Sequence, residues 1–480
     1  MKNEFFDVVI VGAGLSGVGA GCHLKEKCPE HTFVILEGRE NTGGTWDLFR
    51  YPGIRSDSDM YTLSYSFKPW DSSELIPSGE KILNYIKEAA KEYNIEDHIR
   101  TLHKVVKAEW NDEDALWKVT AENQKTFHCK FLYMCSGYYR YDKGYDPSFE
   151  GRDLFKGHLI HAQNWPSGLD LEDKRVIVIG SGATAVTLVP ELCKKAKKVT
   201  MLQRSPTYIV SWPGKDLLAN VLRKFFPGKF VSFIMKTKYN FLQQFLYRFS
   251  QRNPDKAKDL LIKKVKKEVG PHFNVEKHLI PDYKPWVQRL CLAKDGDFFK
   301  ALKEGKATIA TDHIKSFTQD GILLKSGEKL EADIIVKATG LQLLPLGGME
   351  ILVNGQKVDF SKRYTYKGAG ISDVPNFLSV FGYVNASWTL RADLISTYLC
   401  RLLNALKSKG MKKCTPRLKE SEMLQKPFIE GFTPGFFERS LHLFPKQGDK
   451  SPWINPQNYK IDQKMFLSDP LEDGTMVFDE

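Results

Sequence analysis

The chain has 480 residues, 42% of them hydrophobic and 27% charged, which is ordinary globular usage and excludes a disordered or fibrous protein. At roughly 150 residues per domain this length predicts two to four domains. The net charge is +12, but fourteen Lys/Arg and four Asp/Glu lie between Lys215 and Glu268, so the excess is local and is not read as a nucleic-acid-binding surface.

No apolar run is long enough to span a bilayer. Phe5–Val11 ends at Gly12 without a signal-peptide cleavage region, so the protein is expected to be soluble and cytoplasmic. Eight cysteines, none in a CxxC pair, fit a reduced compartment. With no HExxH motif and no Cys/His cluster, no metal is expected.

The first element pattern is Asp7-Val-Val-Ile-Val-Gly-Ala-Gly-Leu-Ser-Gly17, a β-rich run feeding into GxGxxG. A helical stretch to about Lys27 and a strand, Phe33-Val-Ile-Leu-Glu37, complete a βαβ unit. Gly12 permits the tight turn, Gly14 lets the backbone approach a pyrophosphate, and Gly17 lets helix and strand pack closely. The helix N-terminus offers N–H groups to the phosphates, and Glu37 can accept the hydroxyls of an adenosine ribose.

The pattern recurs at Arg175-Val-Ile-Val-Ile-Gly-Ser-Gly-Ala-Thr-Ala185, where Gly180, Ser181, Gly182, Ala183, Thr184 and Ala185 form a GxGxxA loop. Its second strand, Val199–Gln203, runs into Arg204 and Ser205 instead of an acid. An arginine there can pair with a 2′-phosphate, so this site reads as NADP(H). Two such units describe a flavoprotein reductase or monooxygenase, with FAD in front and NADPH behind.

Two further runs, Phe131–Gly137 and Ala332–Gly340, end in small residues where the chain must pass close to a cofactor or cross between domains. Between them, Gly214 to about Lys300 has helical spacing (Leu217, Leu218, Val221, Leu222; Phe241, Phe245, Leu246, Phe249). Its basic excess is read first as a solvated helix face and second as a peripheral contact for anionic membranes. Asn376–Gly382 is a late strand. Asn385-Ala-Ser-Trp-Thr389 then turns into a helix, Leu390–Leu406, whose start should face the flavin.

The fold class expected is therefore α/β, with two Rossmann-like dinucleotide-binding domains and a helical insertion in the second. The expected order is a FAD-binding part at 1–145, an NADP-binding part at 146–210, the insertion at 211–300, a second NADP-binding part at 301–366, and a second FAD-binding part with the C-terminal tail at 367–480.

Phe155-Lys-Gly-His-Leu-Ile-His161-Ala-Gln-Asn-Trp165-Pro166 fits FxGxxxHxxxWP, and Gly43-Gly44-Thr45-Trp46 through Tyr51-Pro52-Gly53 to Asp57 fits GGxWxxxxYPGxxxD. On these motifs the chain resembles the type I Baeyer–Villiger monooxygenases. Arg50–Tyr61, Leu202–Thr207, Pro285–Leu290 and Pro445–Gly448 look like the ethionamide-activating branch, which oxidises ketones, sulfides and thioamides.

The resemblance implies FAD and NADPH as cofactors and O2 as co-substrate. Ketones would be converted to esters or lactones through a C4a-peroxyflavin, and thioethers would be sulfoxidised. It places Gly12, Gly14, Ser16, Gly17, Glu37, Gly44, Thr45, Trp46, Asp57, Val105 and Thr389 on FAD. Arg55, Ser56, the second glycine loop, Arg204, Ser205 and Arg289 are placed on NADP. Arg289 aligns with the family's active-site arginine and Asp57 with its partner carboxylate. A fixed guanidinium suits a reaction that runs through an anionic peroxide and an alkoxide.

Gln288 departs from the family, several members of which carry a basic residue there that helps with the 2′-phosphate. In the fingerprint, His161 is expected to tie the two domains together, with Gly157 and Pro166 shaping the segment and Phe155 and Trp165 as packing anchors. Substrate-pocket walls are expected near Trp388 and Phe432–Phe437. The rival readings are an N- or S-oxygenase with little Baeyer–Villiger activity and, from another class, a membrane-surface binding protein with residual nucleotide folds. No pattern assigns the oligomeric state.

Overall fold

Strand runs that are apolar at nearly every position and lead into glycine turns build two sheets, each covered on both faces. The computed structural model describes residues 4–418 and 424–480. β1 (Glu4–Val11) passes through the first glycine loop into α1 (Leu15–Lys27) and returns as β2 (Phe33–Leu36), parallel to β1 with Val8 opposite Phe33. α2 (Met60–Leu63) is capped by the Asp59 carboxylate, which accepts from the Thr62 N–H at 2.9 Å. The meander of β3 (Val105–Asn111), β4 (Leu116–Ala121) and β5 (Thr126–Met134) brings β5 parallel to β1, from Glu4 opposite Phe127 to Val11 opposite Met134. This register aligns the C-terminal ends of β1, β2 and β5, so the glycine loop, Glu37 and Cys135–Gly137 emerge at one edge, where open parallel sheets bind ligands.

β6 (His158–His161) is the edge of the second sheet. β7 (Arg175–Ile179), the second glycine loop and α3 (Ala183–Leu192) lead to β8 (Lys198–Gln203). The chain then leaves the sheet for α4 (Leu217–Leu222), α5 (Gly228–Arg252) and α6 (Pro254–Val269). It departs and returns through a parallel strand pair, Ile209–Trp212 with Cys291–Lys294. β9 (Ala307–Thr311) and β10 (Ile334–Lys337) complete a parallel sheet of order β9-β8-β7-β10-β6.

β11 (Glu350–Val353) lies beside β3, Glu350 opposite Lys107. The return to the first sheet therefore comes at 350 and not at 367. A four-residue strand that pairs antiparallel with Gln356 and Lys357 just after it, and parallel with β3, leaves no local signature of which sheet it joins. β12 (Phe377–Ser379) pairs with β5, and α7 (Trp388–Lys409) packs along α1. The C-terminal segment is anchored on α7 by a fully buried ion pair, Arg391 Nε to Asp462 at 3.1 Å. Among the described residues, no helix is long and apolar enough to cross a membrane.

Candidate active site

The two glycine loops face one cleft of about 1440 Å3, whose walls come from both sheets and the C-terminal segment. At the first loop Gly12 has φ +101°, and a Cβ there would stand 2.7 Å from the Cys135 carbonyl. A Cβ on Gly17 would meet the Gly12 carbonyl at 1.8 Å, so Gly17 lies one layer behind the cleft and sets the approach of α1 to β1. Gly14 and Gly44 meet backbone to backbone, a Cβ on Gly44 falling 2.9 Å from the Gly14 Cα. The surface left between them is main chain, which is what a pyrophosphate requires.

Glu37 is buried at the cleft edge. Its Oε2 accepts the Ala13 N–H at 2.8 Å and its Oε1 the Arg39 N–H at 2.9 Å. Burial pushes its carboxyl up, and these backbone N–H groups, with the Arg39 charge, bring it only part of the way back. Each oxygen keeps a lone pair for a ribose hydroxyl, so the donor set fits an adenosine nucleotide.

Ser16, Thr45, Trp46 and Val105 line the same end. The Trp388 indole at the start of α7 donates to Ser16 Oγ at 2.7 Å, which puts the N-terminus of this 22-residue helix at the cleft. Thr389 is behind the wall: it is fully buried and its hydroxyl donates to the Leu63 carbonyl at 2.5 Å.

At the second loop Gly180, Ser181, Gly182, Ala183 and Thr184 line the cleft, whereas Ala185 is buried in the core of the second sheet. Gly182 faces open space, and Ser181 Oγ donates to the Ser205 carbonyl at 3.1 Å. Arg204 and Ser205 are exposed on the rim. The guanidinium of Arg439 lies 3.6 Å over the Tyr145 ring, and burial together with the nearby charge of Arg204 holds it below its ordinary value. Two guanidiniums that repel one another at a cleft mouth make a site for an anion. Sequence reasoning missed Arg439 because 235 residues separate it from Arg204, and no motif joins them. Lys325 and His313, on neighbouring turns of the same rim, were missed for the same reason.

Arg289, Asp57, Tyr138 and Tyr139 come together between the two loops. Burial raises the Asp57 carboxyl, and the opposing charges of Arg289 and Arg55 bring it part of the way back. Burial works against the Arg289 cation and the Asp57 charge favours it, and the guanidinium keeps its proton. Its Nε is buried with no hydrogen-bond partner. A permanent cation with an unused donor on a cleft wall is suited to an oxyanion. Ser56 is buried on the same wall. Arg55 is less free than expected, because its guanidinium grips Asp297 at 2.6 and 3.3 Å.

The fingerprint lies outside the cleft lining. A Cβ on Gly157 would strike the Asp333 carbonyl at 2.3 Å, so only glycine lets the segment pass β10. Phe155 packs on Phe317, Trp165 packs against the core of the second sheet, and Pro166 is exposed. His161 Nδ1 accepts from the Gln163 N–H at 3.1 Å, and Gln163 Nε2 donates to the Arg140 and Tyr141 carbonyls at 3.0 Å. Burial and Lys337 lower the His161 pKa, and its ring closes against Gly144. These residues hold the crossover 138–145, itself bonded to the second crossover through Arg140 N–H to Gln342 and Tyr145 N–H to Gly340.

The far wall is aromatic. Tyr138, Phe381, Phe428, Phe437 and Phe444 form one buried cluster against Trp388, with Phe436 and Arg439 at its edge on the cleft.

Residues 9–212 match the family model described as pyridine nucleotide-disulphide oxidoreductase. The chain is 47% identical over 479 residues to the FAD-containing monooxygenase EthA of Mycolicibacterium smegmatis, covering 99% of this chain and 97% of that one. It is 43% identical over 482 residues to the "Probable FAD-binding monooxygenase AlmA" of Acinetobacter baylyi, with 99% and 97% covered. Among solved structures, an oxidised steroid monooxygenase bound to NADP superposes with a TM-score of 0.79 at 21% identity, over 99% of this chain and 100% of that one, a likeness of fold.

Proposed function

We propose Baeyer–Villiger chemistry for this chain, which belongs to the family of FAD-containing monooxygenases that includes EthA. In this reading one oxygen atom of O2 is inserted beside a ketone carbonyl to give an ester or lactone, and thioethers are oxidised to sulfoxides. Gly12, Gly14, Ser16, Glu37, Gly44, Thr45, Trp46 and Val105 would hold FAD. Gly180–Thr184, Arg204 and Ser205 would hold NADPH, with Arg439 supplying part of the cationic field that position 288 lacks. When bound, FAD activates oxygen with the two electrons of NADPH.

The chain's own part is electrostatic. Arg289 stabilises the negative charge that develops on oxygen as the carbonyl is attacked, and Asp57 orients the guanidinium and keeps it from swinging to solvent. The aromatic cluster around Trp388 excludes water, which strengthens that field and protects reactive oxygen. The observation that carries the reading is the position of Arg289, paired electrostatically with Asp57 on the wall between the two loops.

The test is Arg289→Ala. The variant is expected to bind FAD and be reduced by NADPH, while ester formation from a good ketone falls a hundredfold to a thousandfold, about 2.7–4 kcal/mol. Arg289→Lys should recover little, since an ammonium lacks the planar fork. Stopped-flow reduction followed by product assay separates the half-reactions. Undiminished ester yield from Arg289→Ala would remove this residue from the mechanism.

A further inference from the structure

The helical insertion carries an apolar face that nothing in the described chain covers. One stripe of α5, through Val231, Met235 and Tyr239, packs inward toward Tyr61, Leu75 and Ile76. The opposite stripe points outward: Phe233 and Phe241 are each 68% exposed and Phe245 is 54% exposed. The stripe continues through Phe230, Phe226 and Phe225 toward α4, with Phe226 and Phe230 rings 5.6 Å apart and Phe241 and Phe245 rings 6.3 Å apart. Eleven of the nineteen exposed large apolar side chains among the described residues fall between 217 and 260. Elsewhere they are scattered singly, which is normal for a surface, whereas a contiguous patch marks a contact.

The charge of the same segment selects the partner. Residues 215–268 carry a net +10, and the exposed Lys224, Lys229 and Arg248 flank the phenylalanines. A second copy of this face would set two strongly cationic surfaces against one another. An anionic bilayer offers the opposite charge and an acyl boundary for the rings, and an interfacial helix has this combination of basic and aromatic residues. The face also backs the cleft wall: Gln243 on α5 donates to Asp59 at 2.7 Å and Lys236 to the Ser64 carbonyl at 2.9 Å, in the segment that follows Asp57.

We propose that the α4–α5 face docks this protein on an anionic lipid surface, lying in the interfacial plane with its phenylalanines at the acyl boundary. The inference does not depend on which substrate is oxidised.

The experiment is flotation of the FAD-loaded protein with vesicles of phosphatidylcholine alone or mixed equally with phosphatidylglycerol, at low and high salt. Binding to the mixed vesicles is expected at low salt, with roughly tenfold less on the neutral vesicles and at high salt. Phe233→Asp/Phe241→Asp should reduce binding to the mixed vesicles at least about tenfold while flavin content and NADPH oxidation stay as in the unaltered protein. Phe233→Trp gives an independent reading, an emission blue-shift on adding the same vesicles. Absence of binding at low salt, or equal binding by the double variant, overturns the proposal. So does a dimer in sedimentation that the double variant converts to monomer without any vesicle binding, which would assign the face to a second copy.

Discussion

The two glycine loops share a backbone plan and differ in their surroundings. At the first, Ser16, Gly17 and Glu37 are buried, and the Glu37 carboxylate is already held by two backbone N–H groups. At the second, Gly182, Arg204 and Ser205 are exposed. The third glycine position differs as well: Gly17 admits no Cβ, whereas Ala185 carries one and is fully buried. In the proposed reading, a site built from burial and close backbone contact would retain its nucleotide between turnovers. An open rim that relies on charge lets a coenzyme enter and leave, at the cost of sensitivity to salt.

Substituting each loop in turn should separate these designs. Gly17→Ala drives a Cβ into the Gly12 carbonyl, so α1 must move off β1. Overpacking of this kind costs about 1–3 kcal/mol, and the protein should lose Tm and purify without its yellow colour. Gly182→Ala meets no protein atom and has an ordinary φ of −77°. Its Tm and FAD content should be unchanged, while KM for NADPH rises several-fold if, as proposed, the coenzyme approaches this loop, because the new Cβ would stand in the open cleft. Equal damage to Tm from both would end the distinction.

The rim charges give the next effect. Arg204→Ala should raise KM for NADPH tenfold to a hundredfold, about 1.5–3 kcal/mol, and leave KM for NADH nearly unchanged. Arg439→Ala should follow with a smaller rise of the same selectivity, since its guanidinium is shared with the Tyr145 face. Steady-state kinetics with both coenzymes decides it. Parallel losses with NADPH and NADH would make Arg204 structural.

What was legible in the sequence were the features that local backbone geometry demands. Gly12, Gly17 and Gly157 stand where a side chain would collide, and Glu37 and Arg204 follow their strands at fixed spacing, so a short window carries each of them. Arg439 and the Tyr138–Phe381–Phe444 cluster unite positions up to 306 residues apart, and only tertiary packing joins them. β11 is too short to announce its sheet. The phenylalanine stripe of α5 was legible as a helix face but not as an uncovered one, because periodicity says which residues share a side and not what lies against it.

The smallest effect probes the seam between the two halves, where Gln243 of the insertion reaches Asp59 at the start of α2. Burial raises the Asp59 carboxyl from 3.8 to about 6, against hydrogen bonds from Thr62 and the Lys236 charge. Folding therefore takes up a proton between about pH 4 and 6. The group's contribution to stability is full below pH 4 and is lost as pH rises through about 6. Asp59→Asn removes that dependence. Its amide oxygen can keep the bond from the Thr62 N–H. Its amide nitrogen can donate to Gln243 Oε1, now without a partner, once the Gln243 amide flips. A shift of about two pKa units limits the gain to about 3 kcal/mol, so Asp59→Asn should raise Tm by a few degrees at pH 8 and not at pH 4. Thermal melts of the FAD-loaded protein at both pH values measure it. An offset of the same size at both would mean that Asp59 takes up no proton on folding.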